Sequence, residues 1–324
     1  MGNRIRLINC YFGTLPNYFP LWVRSCAANS RVDFLLVTDA EIPCPLPPNV
    51  SVERVGWEEL LRRFQDAFPF RLAIESPYKL TDLKPAYGYL FEPELRGYDY
   101  WGYCDVDLIF GDLMKFLEGP LSEGYEKIYR LGHLTLYRNT ERMRELFRQR
   151  GGMFSYREVF SRPAFYSFDE HAGQMLIAKR QGVRSYERED MADISCRIRR
   201  MTASRQENYP QQVFYYENGA VYRAYVKDGA VRTEEFVYIH IQKRRYRFDG
   251  DFERFYILGD RFAPKAPGQP SADEILRLSG YVDDETDRAQ LKAYRDEKKK
   301  HFLSCPLREK RIWLLQKLAE HRFE

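Results

Sequence analysis

Three short apolar runs set the terms for this chain. Ile5 to Cys10, Val32 to Asp39 and Trp101 to Phe110 are dense in aliphatic and aromatic residues. Runs of that length read as buried strands. Between them lie segments with helical spacing, over Leu21 to Asn29, Trp57 to Phe68 and Thr81 to Phe91, where Leu83, Tyr87 and Leu90 recur and Pro85 is expected in the first turn. A third strand is predicted in NVSVERV, after the loop Pro43 to Pro48. Strands separated by helices predict a mostly parallel sheet with helices on both faces, whose ligands lie beyond the strands' carboxyl ends.

Further along, a helix is expected near Leu113 to Leu117, a strand pair in IYRLGHLTLYRN and a helix over Thr140 to Arg150. Asn218-Gly219 and Asp228-Gly229 are hairpin signals that divide Val213 to Ile241 into an antiparallel meander. Helices are expected over Ala272 to Leu278, Thr286 to Phe302 and Leu307 to Leu318. The organisation that follows is a first domain over residues 1–250 and a helical extension over 251–324.

The 324 residues carry 51 Lys and Arg against 47 Asp and Glu, a net charge of +4 too small to mark nucleic acid as the partner. The six cysteines form no CxxC pair and no zinc-like spacing, which fits a reduced, cytoplasmic setting. The amino terminus lacks the apolar run of a signal peptide, and no 18-residue apolar stretch occurs, so any membrane contact is expected to be peripheral.

The most informative unit is YCDVDLIFGDL, Tyr103 to Leu113. Carboxylates at i and i+2 of a regular strand point to one face, where Asp105 and Asp107 can approach one hard cation. Mg²⁺ or Mn²⁺ holds few protein ligands and completes its octahedron with phosphate oxygens, so a diphosphate is the natural second occupant. Two solvated turn aspartates are the plainer reading of the same letters. The apolar setting weighs against it, because buried carboxylates need a metal or a partner. In FVYIHIQKR, alternation puts Tyr238, His240 and Gln242 on one strand face.

A first strand and loop, VTD at Thr38-Asp39, KLTDLKPAYG at Lys79 to Gly88 and the DVD of Asp105 to Asp107 together resemble GT-A glycosyltransferases carrying a DXD motif. The likeness is greatest to uncharacterised bacterial ones of surface-polysaccharide clusters, and covers about residues 4 to 245. It implies a GT-A-like, Rossmann-like α/β fold with a mixed, mostly parallel sheet, an antiparallel meander and a helical extension. It also implies a hexosyltransferase-like enzyme that moves a sugar from a nucleoside-diphosphate sugar to a hydroxyl of a carbohydrate or lipid-linked saccharide, for cell-surface polysaccharide or glycolipid synthesis. Asp105 and Asp107 would hold Mn²⁺ or Mg²⁺, with Asp105 also on the donor ribose and His240 completing the metal site. Asp39, Asp82 and Lys84 would face the nucleotide, Tyr11 and Phe12 would stack near the base, and Lys243 would neutralise the departing diphosphate. Asp169 and Glu170, in an acidic pair expected to open a helix, would act on the acceptor, one of them as base if the enzyme inverts.

Other readings compete. A sugar nucleotidyltransferase would carry a glycine- and base-rich phosphate loop after the first strand, where this chain has only Gly13 in NCYFGTLPNYF. A glycoside hydrolase needs two carboxylates across a cleft and no metal motif. A non-catalytic nucleotide-sugar-binding or scaffold protein of a polysaccharide-assembly complex would show no activity. The segment Phe302 to Leu318 mixes bases with Trp313, Leu314 and Leu315, which suits either packing back on the domain or resting on the anionic inner face of a membrane.

Overall fold

The computed structural model describes residues 2–242, 244–248, 250 and 252–321. β1 (Ile5–Cys10), β2 (Val32–Thr38), β3 (Val50–Arg54) and β4 (Tyr100–Cys104) run parallel in the order β3-β2-β1-β4. β5 (Leu108–Phe110) leaves this sheet, which is completed by β6 (Lys127–Ile128), β7 (Leu134–Arg138) and β8 (Ser185–Tyr186) in the order β4-β7-β6-β8. β7 runs antiparallel to both neighbours, so the sheet is mixed and mostly parallel.

Side-chain alternation divides the core into two layers. From β1, β2 and β4, Ile8, Leu35, Val37, Trp101 and Tyr103 face one layer, against Leu60 and Phe64 of the helix Trp57–Asp66. Leu7, Phe34, Leu36 and Tyr100 face the other, against Phe19, Trp22 and Cys26 of the helix Phe19–Ala27. Strands covered on both sides must be apolar at consecutive positions, as these are.

The meander forms as its turn residues dictate. β10 (Gln212–Glu217), β11 (Ala220–Lys227) and β12 (Ala230–Phe236) are joined by two-residue loops in which Asn218, Gly219, Asp228 and Gly229 all have positive φ. Instead of continuing the meander, β13 (Tyr238–His240) crosses to pair antiparallel with β5 and parallel with β9 (Ala192–Asp193). This three-stranded sheet carries much of the candidate site. β14 (Phe255–Ile257) and β15 (Phe262–Pro264) extend the meander sheet past residue 250, and the helices Ala272–Leu278, Asp284–Ser304 and Leu307–Glu320 follow.

Four expectations require correction. Trp101 to Phe110 is not one strand, because the chain turns at Asp105 to Asp107 to move between sheets. Thr81 to Phe91 is not one helix. Short turns, Leu80–Leu83, Lys84–Ala86 and Tyr87–Leu90, meet around Pro85, which stands in mid-segment and cannot donate to the i−4 carbonyl. Thr140 to Arg150 yields only Glu141–Arg144 and a 3₁₀ turn, Leu146–Arg148, which buries Leu146 and Phe147. Asp169 and Glu170 lie in a turn, upstream of the helix Gln174–Arg180 that they were expected to open.

Gly102 tests the centre of the sheet. A β-carbon there would lie 2.4 Å from the Thr135 carbonyl oxygen and 2.8 Å from Leu7 Cδ2. Gly102→Ala is expected to lower the stability read from urea unfolding by about 1–3 kcal/mol, as overpacking does.

Candidate active site

A cleft of about 490 Å³ opens beyond the carboxyl ends of β1 and β4. Asp105, Asp107 and His240 share one wall with Lys84, while Tyr11, Tyr18 and Tyr78 are among the aromatic residues lining it. The acidic turn is fixed at its backbone from three directions. Asp105 N–H donates to the His133 carbonyl at 3.1 Å, the Trp22 indole donates to the Asp105 carbonyl at 3.1 Å, and Ile241 N–H donates to the Asp107 carbonyl at 3.0 Å. The two carboxylates thus share a face through a tethered turn, not through strand pleating.

One ligand atom from each of Asp105, Asp107 and His240 lies within 4.8 Å of the others, a donor set of two carboxylates and an imidazole that fits a hard divalent ion with room for phosphate oxygens. His240 Nε2 is 3.5 Å from Asp107 Oδ2, and its Nδ1 is 2.8 Å from Asp193 Oδ1. Burial alone would favour the neutral ring, but Asp107 and Asp193 outweigh it and raise the His240 pKa to about 10. Burial likewise opposes ionisation of Asp107 and Asp193, yet His240 holds both below the ordinary carboxylate range. An ion at Nε2 would therefore displace a proton.

Lys84 is buried and donates to Asp105 Oδ1 at 2.6 Å and to the Gly132 carbonyl at 2.9 Å, with Asp169 Oδ2 at 3.9 Å. Burial works against its charge, but the surrounding carboxylates raise its pKa above the usual lysine value. Its ammonium is spent on the protein rather than left pointing into the cleft.

The other sequence candidates divide. Phe12 lines the cleft but packs edge-on against Trp57, with ring centres 5.2 Å apart. Asp39 is not a lining residue. It accepts from Gly13 N–H at 3.0 Å and so pins the loop after β1, where Gly13 has a φ of 98°. Asp82 is fully buried away from the cleft, 2.8 Å from Lys79 Nζ and accepting from the backbone N–H groups of Tyr166 and Phe168. Asp169 is buried behind Lys84, where burial lifts its carboxyl well above the ordinary range. Glu170 accepts from Gly132 N–H at 2.9 Å and borders a separate hollow of about 200 Å³ beside Trp313 and Gln316. Lys243 lies outside the described residues.

Asp193 escaped the sequence reading, and His133 figured there only within the segment GHLTLYRN, with no role of its own. Asp193 meets His240 only because β9 and β13 pair in that register. The His133 ring stacks on His240 with centres 4.2 Å apart. No local periodicity marks either residue.

The fold and this cleft define a mixed α/β protein with an acidic, histidine-bearing cleft at the carboxyl edge of its main sheet. The chain belongs to DUF6625, a family of unknown function, whose model matches residues 7–266. No curated protein matches it. Among solved structures it is similar to the glycosyltransferase GlyE of Streptococcus pneumoniae TIGR4, with 13% identity and a TM-score of 0.31 over 58% of this chain and 45% of that one. It is also similar to the galactosyltransferase LgtC in complex with donor and acceptor sugar analogs, with 12% identity and a TM-score of 0.26 over 45% of this chain and 60% of that one. The chain thus spans less than two thirds of either protein. Among the described residues no helix is long and apolar enough to cross a membrane.

The buried Lys79–Asp82 pair predicts a structural phenotype. Asp82→Ala leaves an ammonium and two backbone donors without their acceptor, and is expected to cost about 3–5 kcal/mol in urea unfolding. Asp39→Ala, at an exposed position, is expected to cost about 1 kcal/mol or less in the same measurement.

Proposed function

We propose that this protein is a metal-dependent glycosyltransferase that moves a sugar from a nucleoside-diphosphate sugar to a hydroxyl acceptor. The observation that carries the reading is the convergence of Asp105, Asp107 and His240 on one cleft beyond the carboxyl ends of β1 and β4. A bound Mn²⁺ or Mg²⁺ would supply charge stabilisation to the leaving diphosphate as the glycosidic bond breaks.

The protein's own part is positional. Asp105 and Asp107 present carboxylate oxygens, and His240 presents Nε2. Lys84 holds Asp105 Oδ1 and keeps that carboxylate from turning away. Tyr11, with Tyr78, offers flat apolar surface of the kind a base or sugar ring stacks on. Asp39 steadies the Tyr11–Gly13 loop, while Asp169 and Glu170 support Lys84 and Gly132 from behind. We assign the acceptor to carbohydrates or lipid-linked saccharides of cell-surface polysaccharide or glycolipid synthesis on the sequence resemblance alone. The helix Leu307–Glu320 leaves Trp313, Leu314 and Leu318 exposed among basic residues, which suits peripheral contact with an anionic surface.

The test is a thermal-shift series of nucleoside diphosphates with and without Mn²⁺. One nucleotide is expected to stabilise the wild-type chain in a metal-enhanced manner, by about 2.7 kcal/mol at a hundredfold excess over Kd. Slow hydrolysis of the matching sugar nucleotide is expected to fall by about 10²–10³-fold in Asp107→Ala, the scale of losing one electrostatic stabiliser. Absence of any metal-linked nucleotide response would favour a non-catalytic scaffold instead.

A further inference from the structure

Away from the cleft, two strained residues face one hollow. Among the described residues six other than glycine have positive φ, and two of them, Ser167 at 50° and Arg205 at 61°, line the same space of about 200 Å³. The left-handed conformation costs free energy in any residue with a β-carbon, and such outliers cluster where a ligand is held. This hollow shares no lining residue with the cleft. Gly132 stands between the two, its N–H donating to Glu170 on the side of the hollow and its carbonyl accepting from Lys84 on the side of the cleft.

The walls suit a neutral, hydroxyl-rich ligand. Arg205 and Lys317 are set against Glu170 and Glu320, so the charges balance and a lone anion or cation gains little there. These groups also hold one another in place. Lys317 pairs with Glu320, Arg205 Nη2 lies 3.2 Å from His171 Nε2, and Glu170 Oε2 lies 3.7 Å from His171 Nδ1. Gln316 donates its amide N–H groups to the Phe165 carbonyl and to Ser167 Oγ, each at 3.3 Å, which leaves its amide oxygen as a further acceptor. Donors and acceptors are thus fixed before anything binds, as a preorganised site requires.

Trp313, 42% exposed, adds an aromatic face. Ile312 and Ala319 seat its helix on the domain and so keep that ring at the edge of the hollow. A pyranose ring carries an apolar face of C–H groups and a rim of hydroxyls, which an aromatic face bordered by both donors and acceptors recognises. The space falls short of the roughly 300–1,000 Å³ of pockets for drug-sized ligands, and leaves room for a single ring.

We propose that this hollow is a saccharide site for one monosaccharide unit, separate from the cleft, with Trp313 as platform and Glu170, Arg205 and Gln316 as its hydrogen-bonding rim. Within the sugar transfer proposed above, on which this role rests, it anchors a sugar of the acceptor remote from the reacting hydroxyl.

The experiment is saturation-transfer NMR on the full chain with the methyl glycosides of glucose, galactose and N-acetylglucosamine, in the absence of metal and nucleotide. At least one glycoside is expected to receive saturation from the wild type at millimolar concentration. Trp313→Ala, at an exposed position, is expected to weaken its binding about three- to tenfold, the scale of one aromatic contact. Arg205→Gly adopts a φ of 61° without steric cost and so keeps the turn. It is expected to weaken binding at least about tenfold by removing a charged donor. Tyr11→Ala, which alters only the cleft, is expected to leave the glycoside signal unchanged. Saturation of none of the three glycosides, a signal that both hollow variants leave at wild-type strength, or a signal lost in Tyr11→Ala would each overturn the proposal. A missing nucleotide response with Mn²⁺ would instead sink the sugar-transfer reading and leave glycoside binding in place, so the two failures are told apart.

Discussion

The turn from Cys104 to Leu108 is the constraint on which the rest depends. It ends a central strand of the main sheet and starts a strand of another, so its backbone cannot be satisfied by either ladder alone. It is paired instead by the His133 carbonyl, the Trp22 indole and Ile241 N–H, groups from three distant parts of the chain. Buried backbone groups must find partners. The arrangement that satisfies this turn therefore also fixes where Asp105 and Asp107 stand relative to His240.

A second layer of order comes from buried lysines. Lys79 and Lys84 lie five residues apart in the broken segment before β4, and each is held against a carboxylate. Burial pushes Asp82 up and Lys79 down, and the pair persists because backbone donors of Tyr166 and Phe168 complete the Asp82 shell. Lys84 instead links Asp105 to Gly132 and approaches Asp169. The cleft wall is thus braced by charge pairs whose loss would leave isolated ions in the interior.

Much of this was legible in the sequence where a local rule governs. Doubly covered strands must be apolar throughout, so β1 and β2 could be read directly, and Asn-Gly and Asp-Gly specified both hairpins. The acidic pair stood out because carboxylates are costly amid Tyr103, Cys104, Leu108 and Ile109. What could not be read is set by distant pairing. The break at Asp105 follows from β5 joining β13, and the Asp193–His240 contact rests on a two-residue register between β9 and β13. Asp82 looked like a ligand-facing carboxylate because its buried lysine partner and its contacts with Tyr166 and Phe168 leave no mark in the local pattern.

The helix Asp284–Ser304 buries none of its side chains. Its amides are shielded mainly by their own intrahelical bonds, and fraying is enough to open them. In deuterated solvent this segment, tied to the domain chiefly through Asp287 and Gln290, should label early, while β1, β2 and β4 retain their protons until the whole domain opens.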